Sequence, residues 1–300
     1  MGNSFKSGFA AIIGQPNVGK STLLNRFAGG KIAITSNKPQ TTRNIIRAIV
    51  TEPDYQLVFV DTPGIHAPKT RLGTYMVKSA ETAVLDVDAV LFMVKPDTKI
   101  SDTEISIIER LKKLKSPVFL VINKIDTVDK PKLLEIIDAY KSLMDFTAII
   151  PISAVTGQNA DDLLSEIKKV VPAGPKYFPD DMTTDQPERQ IAAEIIREKA
   201  LYNLEDEVPH GIAIEVTAMS ARADKPILEI AATIYVDKSS HKGIIIGKAG
   251  AMLKKIGGAA RVDLERIFGT QVHLELWVKV KENWKDSDFL LRNFGYREKN

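Results

Sequence analysis

Two domains of different class follow from the sequence: an α/β domain with a mostly parallel sheet and helices on both faces, then a smaller α+β domain. Three observations carry this reading. Residues 1–172 alternate short apolar runs with amphipathic helical stretches, the pattern of βαβ units. Residues 171–187 hold four prolines and a glycine in seventeen positions, which no helix can continue through. Beyond them the order becomes helix, two long strands, glycine turn, long helix and strand. The boundaries read as 1–172, a 173–186 linker and 187–300.

In chain order, strand-like runs fall at 9–14, 45–50, 56–61, 89–94, 117–123 and 148–153. Between them lie stretches such as TEISIIERLKKLK and KLLEIIDAYKSLM, with apolar residues at helical spacing. The runs IIRAIV and QLVFVD are separated by EPD, a turn signal, so that pair is expected to be an antiparallel hairpin. In the second domain a helix is expected over about 187–204. Strands GIAIEVTAMSA and ILEIAATIYVD, a helix over about 249–268 and strand QVHLELWVKVK follow.

Composition excludes several chemistries. The 300 residues contain no cysteine, which removes disulfides, thiol nucleophiles, iron–sulfur clusters and cysteine zinc sites. The four histidines are scattered without an i, i+4 pair, so a histidine metal site is not expected. The formal net charge is only +3. Its distribution matters more: residues 181–237 carry 5 basic against 12 acidic residues, and residues 238–266 carry 7 against 2. A local basic stripe is what polyanion binding requires. The N-terminus lacks the apolar core of a signal peptide, and no uncharged apolar run reaches the ~18–20 residues of a membrane span. A cytoplasmic location is the expectation.

The first chemical motif is Gly14-Gln15-Pro16-Asn17-Val18-Gly19-Lys20-Ser21, which fits G-x-x-x-x-G-K-[ST] between a strand and a helix. Its glycines let consecutive N–H groups turn inward on phosphates, and the helix N-terminus adds a positive dipole end. Lys20 is expected at the β/γ-phosphates, Ser21 on Mg²⁺, and Gly14, Asn17, Val18, Gly19 and Thr22 around the nucleotide. Asn123-Lys124-Ile125-Asp126 follows an apolar strand; the Asp126 carboxylate can accept both N–H groups of a guanine edge, and adenine offers the wrong pattern. The Lys124 stem can cover the base, and Asn123 can tie the pocket to the phosphate loop. Ser153-Ala154 would offer a backbone N–H to guanine O6. Asp61-Thr62-Pro63-Gly64 closes a strand, with Asp61 on Mg²⁺ through water and the Gly64 N–H at the γ-phosphate. In SNKPQTTR, Thr42 is the first candidate to complete the Mg²⁺ shell and Thr41 the second.

These motifs, in this order and spacing, resemble the Ras-like GTPases of the translation-factor class, which implies GTP and GDP as ligands, Mg²⁺, and Lys20, Asn17, Thr42 and Gly64 as the groups acting in hydrolysis. One departure matters: Ile65 stands where such enzymes usually carry a water-orienting glutamine. The resemblance then narrows to the subgroup with an apolar residue there. In that subgroup an asparagine at the position of Asn17 holds K⁺, and slow intrinsic turnover is implied. The bland reading of Asn17 is a loop cap. His66 is taken as a surface residue of the switch loop rather than a base.

In the second domain, Ile245-Ile246-Gly247-Lys248-Ala249-Gly250 opens a basic amphipathic helix. With two strands before and one after, this resembles the KH module in its second topology. That resemblance implies RNA binding at Gly247, Lys248, Ala249 and Gly250, with Lys254, Lys255 and Arg261 extending the stripe. Trp277 and Trp284 are candidate stacking platforms, both read as more probable core residues. A Ras-like domain joined to a C-terminal KH module resembles a family of bacterial GTPases of small-ribosomal-subunit assembly. It implies small-subunit ribosomal RNA and the small subunit as partners, a monomer, and peripheral attachment to the inner membrane face, for which no sequence feature is visible. The competing expectation is a signalling NTPase with a C-terminal protein-interaction module.

Overall fold

The structure is a computed structural model that describes residues 4–36, 38, 40–65 and 68–296. His66 and the N-terminal Met-Gly therefore lie outside the described residues. The chain forms two compact units: Met1–Ala33, Thr42–Ala67 and Met76–Asp185 make the first, and Ile34–Thr41, Pro68–Tyr75 and Gln186–Asn300 the second.

The first unit is built on β1 (Lys6–Ile13), β2 (Ile46–Glu52), β3 (Tyr55–Asp61), β4 (Ala89–Val94), β5 (Val118–Ile122) and β6 (Ala148–Pro151). They form one sheet in the order β2-β3-β1-β4-β5-β6, parallel except for the expected β2–β3 hairpin. Helices α1 (Lys20–Phe27), α3 (Asp102–Leu111), α4 (Lys130–Lys141), α5 (Ala160–Val170) and the Met76–Thr82 part of α2 (Arg71–Thr82) connect them. Because side chains alternate along a strand, neighbours bury on opposite faces. Ile12, Leu91, Met93 and Val121 join Leu163 and Ile167 of α5, while Ile13, Phe92, Val94 and Leu120 join Ile107 of α3 and Ile136 of α4. Burial on both faces explains the continuous apolar strand runs.

The proline-rich segment is strapped to the first unit. Gln56, fully buried, accepts from the Tyr177 and Phe178 N–H groups at 2.7 and 3.0 Å and donates to the Phe178 carbonyl at 2.9 Å. Ile49 N–H donates to the Thr183 carbonyl, and Arg47 pairs with Asp185 at 2.5 Å. Proline forbids helix here, but not docking by backbone.

The second unit contains α6 (Glu188–Asn203), β7 (Ile212–Ala221), β8 (Ile227–Val236), α7 (Ser239–Ile246), α8 (Ala251–Phe268), β9 (Gln271–Val280) and α9 (Asp288–Asn293). β7 and β8 are antiparallel, β8 and β9 parallel. A parallel return needs a crossover, and the pair α7–α8 supplies it. Ile195 and Ile196 of α6, Ile245 of α7, Ile256 and Leu264 of α8 and Ile34 share one core with the sheet. The two tryptophans part company. Trp284 is fully buried, donates from Nε1 to the Gly211 carbonyl at 2.9 Å and touches Phe294 and Tyr296. Trp277 contradicts its core expectation: it is 60% exposed. It falls on the outward set of β9 with Gln271, His273, Glu275 and Lys279, all exposed.

Candidate functional site

The phosphate loop runs from β1 into α1. Gly14 (φ 151°) and Gly19 (φ 108°) occupy backbone conformations that side chains rarely adopt. A Cβ on Gly14 would stand 2.2 Å from the Met93 carbonyl oxygen, and one on Gly19 would stand 2.1 Å from Asn123 Nδ2. Lys20 opens α1 and is buried, its Nζ donating to the carbonyls of Gly14 and Gln15 at 3.2 and 3.0 Å. Burial holds its pKa below the usual lysine value, while the Asp61 charge acts the other way. Val18 is buried in the core, and Thr22 sits half-buried in the first turn of α1.

Three oxygen donors converge beside it. Ser21 Oγ donates to Asp61 Oδ2 at 2.7 Å and lies 2.9 Å from Thr42 Oγ1, which is 3.5 Å from the same carboxylate oxygen. Asp61 is fully buried, its pKa pushed up to about 6 by burial, with Lys20 and the Ser21 and Thr42 hydroxyls opposing. Its other oxygen, Oδ1, is buried without a hydrogen-bond partner. Two hydroxyls and a carboxylate with one buried oxygen left unpartnered are a donor set fitted to a hard, oxygen-seeking dication. The geometry separates the two threonines: Thr42 is buried in this cluster, and Thr41 turns its hydroxyl to the Lys38 carbonyl at 2.6 Å.

Gly64 crosses the phosphate loop closely: a Cβ there would meet Pro16 at 2.9 Å, and Ile65 N–H donates to the Gly14 carbonyl at 3.3 Å. The Ile65 side chain packs against the core with α3 and α4. Asn17 holds φ 63°.

The base-side loops are tied to the phosphate loop. Asn123 is buried, donates to the Val18 carbonyl at 2.7 Å and accepts from Ala154 N–H at 2.9 Å. Lys124, at φ 67°, donates from Nζ to the Asn17 carbonyl at 3.0 Å. Burial is the main reason its pKa lies below the usual value, with Lys95 adding to it and Asp126 opposing. Asp126 is exposed on the 3-10 turn Ile125–Thr127. The two backbone donors expected at a guanine oxygen have partners here: Ser153 N–H donates to the Gln158 carbonyl and Ala154 N–H to Asn123. Sequence reasoning missed Arg26. Its guanidinium donates to the Ala154 and Val155 carbonyls at 2.8 and 2.6 Å and braces this loop. In the sequence it reads only as a cation in the last turn of a helix.

In the second unit, Gly247 (φ 72°), Ala249 (φ 50°) and Gly250 (φ 80°) make a left-handed turn between α7 and α8. Lys248 and Ala249 are exposed at its tip; Lys254, Lys255 and Arg261 are exposed along α8, Arg261 lying 4.0 Å from Glu265.

Comparison with known proteins gives these sites a family. Residues 9–124 match the family described as 50S ribosome-binding GTPase, and residues 207–285 match the KH domain. The chain is 57% identical over 294 residues to GTPase Era of Ruminiclostridium cellulolyticum, covering 98% of each. It is 54% identical to that of Clostridioides difficile, covering 98% of this chain and 100% of the relative. The chain belongs to the Era family of GTPases. Two solved Era structures share its fold with TM-scores of 0.94 at 42% identity, each covering 97% of this chain and 99% of its own. One is Aquifex aeolicus Era bound to GDP.AlF4-, and the other holds MgGDPNP and nucleotides 1506–1542 of 16S ribosomal RNA. An Era GTPase turns GTP and water into GDP and phosphate, and the phosphate loop and N-K-x-D loop described above lie in the unit that carries this activity.

Proposed function

We propose that this chain is a GTP-controlled RNA-binding protein of small-ribosomal-subunit assembly. Its second unit takes a single-stranded segment at the 3′ end of 16S ribosomal RNA. The observation that carries this is the turn 247–250. Two glycines and Ala249 hold it left-handed, its tip side chains are exposed, and the exposed cations Lys254, Lys255 and Arg261 follow along α8. A phosphate backbone can approach such a turn closely, and unpaired bases are what a KH surface reads. The Era structure containing 16S ribosomal RNA supports the choice of RNA.

In the first unit, Ser21, Thr42 and Asp61 are the residues that would hold Mg²⁺, which neutralises charge on the β- and γ-phosphates. Lys20 Nζ faces two carbonyl oxygens, and its third N–H is the donor we assign to phosphate. Gly14, Val18, Gly19 and Thr22 shape the cradle; Asn123, Lys124, Asp126, Ser153 and Ala154 form the base side. The Gly64 N–H senses the γ-phosphate, at the point where Gly64 passes close to Pro16 of the phosphate loop. Ile65 faces the core and orients no water, so Asn17 with K⁺ is our choice for the missing positive charge. The protein acts as a cytoplasmic monomer, with any membrane contact peripheral. Among the described residues no helix is long and apolar enough to cross a membrane, and co-sedimentation with anionic vesicles tests that contact.

The double variant Lys248→Asp with Ala249→Asp tests the RNA reading. Aspartate tolerates the left-handed conformation of Ala249, so the turn survives. The tip changes by three charges. At ~6 Å from phosphate in water each is worth about 0.7 kcal/mol, so RNA affinity falls about 30-fold. Anisotropy with a 16S 3′-end oligonucleotide at two salt concentrations reads both this loss and a shallower salt slope. Parent-like binding by the double variant would sink the RNA reading and leave a protein-interaction module.

A further inference from the structure

Residues 34–41 fold within the second unit, although Thr42, the next residue, belongs to the nucleotide unit. Asn37 and Pro39 of this segment are outside the described residues. The rest is gripped by α6 at four points. Ile34 is buried in the same core as Ala192, Ile195 and Ile196. Glu198 Oε1 accepts from the Thr35 N–H at 3.0 Å. Lys38 Nζ donates to the carbonyl of Leu204, the residue that follows α6. The Arg197 guanidinium donates to the Thr41 carbonyl and, at 3.4 Å, to that of Gln40.

The two α6 charges are themselves held in place. Arg197 and Glu198 are each 1% exposed. Arg197 pairs with Glu194 at 2.5 Å. Glu198 pairs at 3.1 Å with Lys199, which also pairs with Asp263 on α8, the helix that opens at the Gly247–Gly250 turn. Buried charges that reach past their ion-pair partners to backbone groups impose one conformation on the chain they hold. The groups they hold here are the peptide units leading into Thr42.

We infer that Glu198 and Arg197 are positioning residues for GTP hydrolysis: they clasp the backbone at Thr35, Gln40 and Thr41 and so fix Thr42 against Ser21 and Asp61. The inference rests on the reading of Thr42 as a Mg²⁺ ligand in the GTP state. The clasp does not touch nucleotide. It narrows the backbone freedom of Thr42, and its loss lets the threonine leave the cluster. GDP has no γ-phosphate for this segment to order around, so GDP binding does not depend on the clasp.

The full chain is tested as Thr42→Ala, Glu198→Ala, Glu198→Gln and Lys38→Met. Affinities for GDP and for a non-hydrolysable GTP analogue with Mg²⁺ are measured, together with single-turnover hydrolysis. Glu198→Ala and Lys38→Met should lower the turnover rate and the analogue-to-GDP affinity ratio about 10–100-fold, the scale of one hydrogen bond to a charged group. GDP affinity should stay unchanged. Glu198→Gln keeps a carbonyl for the Thr35 N–H and should recover most of the loss. A role in folding alone would weaken both nucleotides together and show no rescue. Lys38 is on the gripped segment rather than in α6, so its variant reports even where Glu198→Ala fails to fold. Parent-like ratios in Lys38→Met and Glu198→Ala beside a shifted ratio in Thr42→Ala would overturn the clasp. An unshifted ratio in Thr42→Ala would remove the Mg²⁺ role of Thr42, and the clasp with it.

Discussion

Asp61→Asn should stabilise the nucleotide-free protein above pH 6 while destroying its response to Mg²⁺ and GTP. Burial raises the Asp61 carboxyl from an ordinary value near 3.8 to about 6. A carboxyl raised in the folded state binds its proton more tightly there than in the unfolded chain. Its contribution is therefore full below pH 3.8 and is lost as pH rises through about 6. At ~1.4 kcal/mol per pH unit, the difference is worth about 3 kcal/mol. Asparagine keeps one acceptor for Ser21 and cannot ionise, so the variant lacks this loss. The assay is urea unfolding of parent and variant by circular dichroism with a metal chelator, from pH 4.5 to 7.5. The stability of the parent relative to the variant should fall by ~2 kcal/mol across that range and level off above pH 7. Excess Mg²⁺ and GTP should then raise the parent's midpoint and leave the variant's nearly unmoved, because only a ligand that binds the folded state shifts it. A difference between the two proteins that does not change with pH would refute the assignment of a buried, proton-binding carboxylate at this position.

Three further outcomes are expected. Asp126→Asn replaces a pure acceptor with a group that also donates, so GTP should bind at least ~10³-fold more weakly and xanthosine triphosphate more tightly, read by nucleotide titration. With Ile65 packed into the core, K⁺ should support faster single-turnover hydrolysis than Na⁺, and Asn17→Ala should abolish the difference; equal rates in both salts for the parent would leave Asn17 as a loop cap. Gly250→Ala should fold and cost about 1–2 kcal/mol from its left-handed backbone alone, while Gly14→Ala, whose Cβ would meet the Met93 carbonyl oxygen at 2.2 Å, should lose nucleotide binding. Thermal melts and GDP titrations compare the two variants.

Much of this architecture is legible in the sequence, for reasons that differ by element. The phosphate loop is contiguous, and its glycines, lysine and serine act through the chain around them. Parallel strands buried on both faces read as apolar runs, which is why β4 and β5 stand out. The antiparallel pair β2–β3 announces itself by its short turn. What the sequence hides is set by distant partners. Nothing local to Thr35, Gln40 or Thr41 shows that Glu198 and Arg197, more than 150 positions on, hold their backbone. The Ala154 N–H looks available until Asn123, fixed by Val18, is seen to take it. Trp277 shows the opposite failure: the alternation of β9 was visible, and reading its odd positions as the outward set, with Glu275 and Lys279, would have placed this tryptophan outside.

The two glycine-bearing turns in this chain use glycine for different physical reasons, and the difference bears on what each can bind. In the loop Gly14–Ser21 the space beside the glycines is already filled, by the Met93 carbonyl and by Asn123. Glycine there lets the protein close on itself, and the result is a rigid cradle for one ligand, braced by Asn123 and Lys124 from the base side. In the turn 247–250 the position beside Gly250 is open, with nothing within 4 Å of where a Cβ would stand, and Ala249 already tolerates φ 50°. Only Gly247 is crowded, by Met252 of the helix it opens. Glycine at 250 leaves room for something outside the protein. A turn anchored at one end and open at the other suits a polymer backbone that arrives from solvent and can be released. A pre-formed cage suits a nucleotide that stays while its third phosphate is removed.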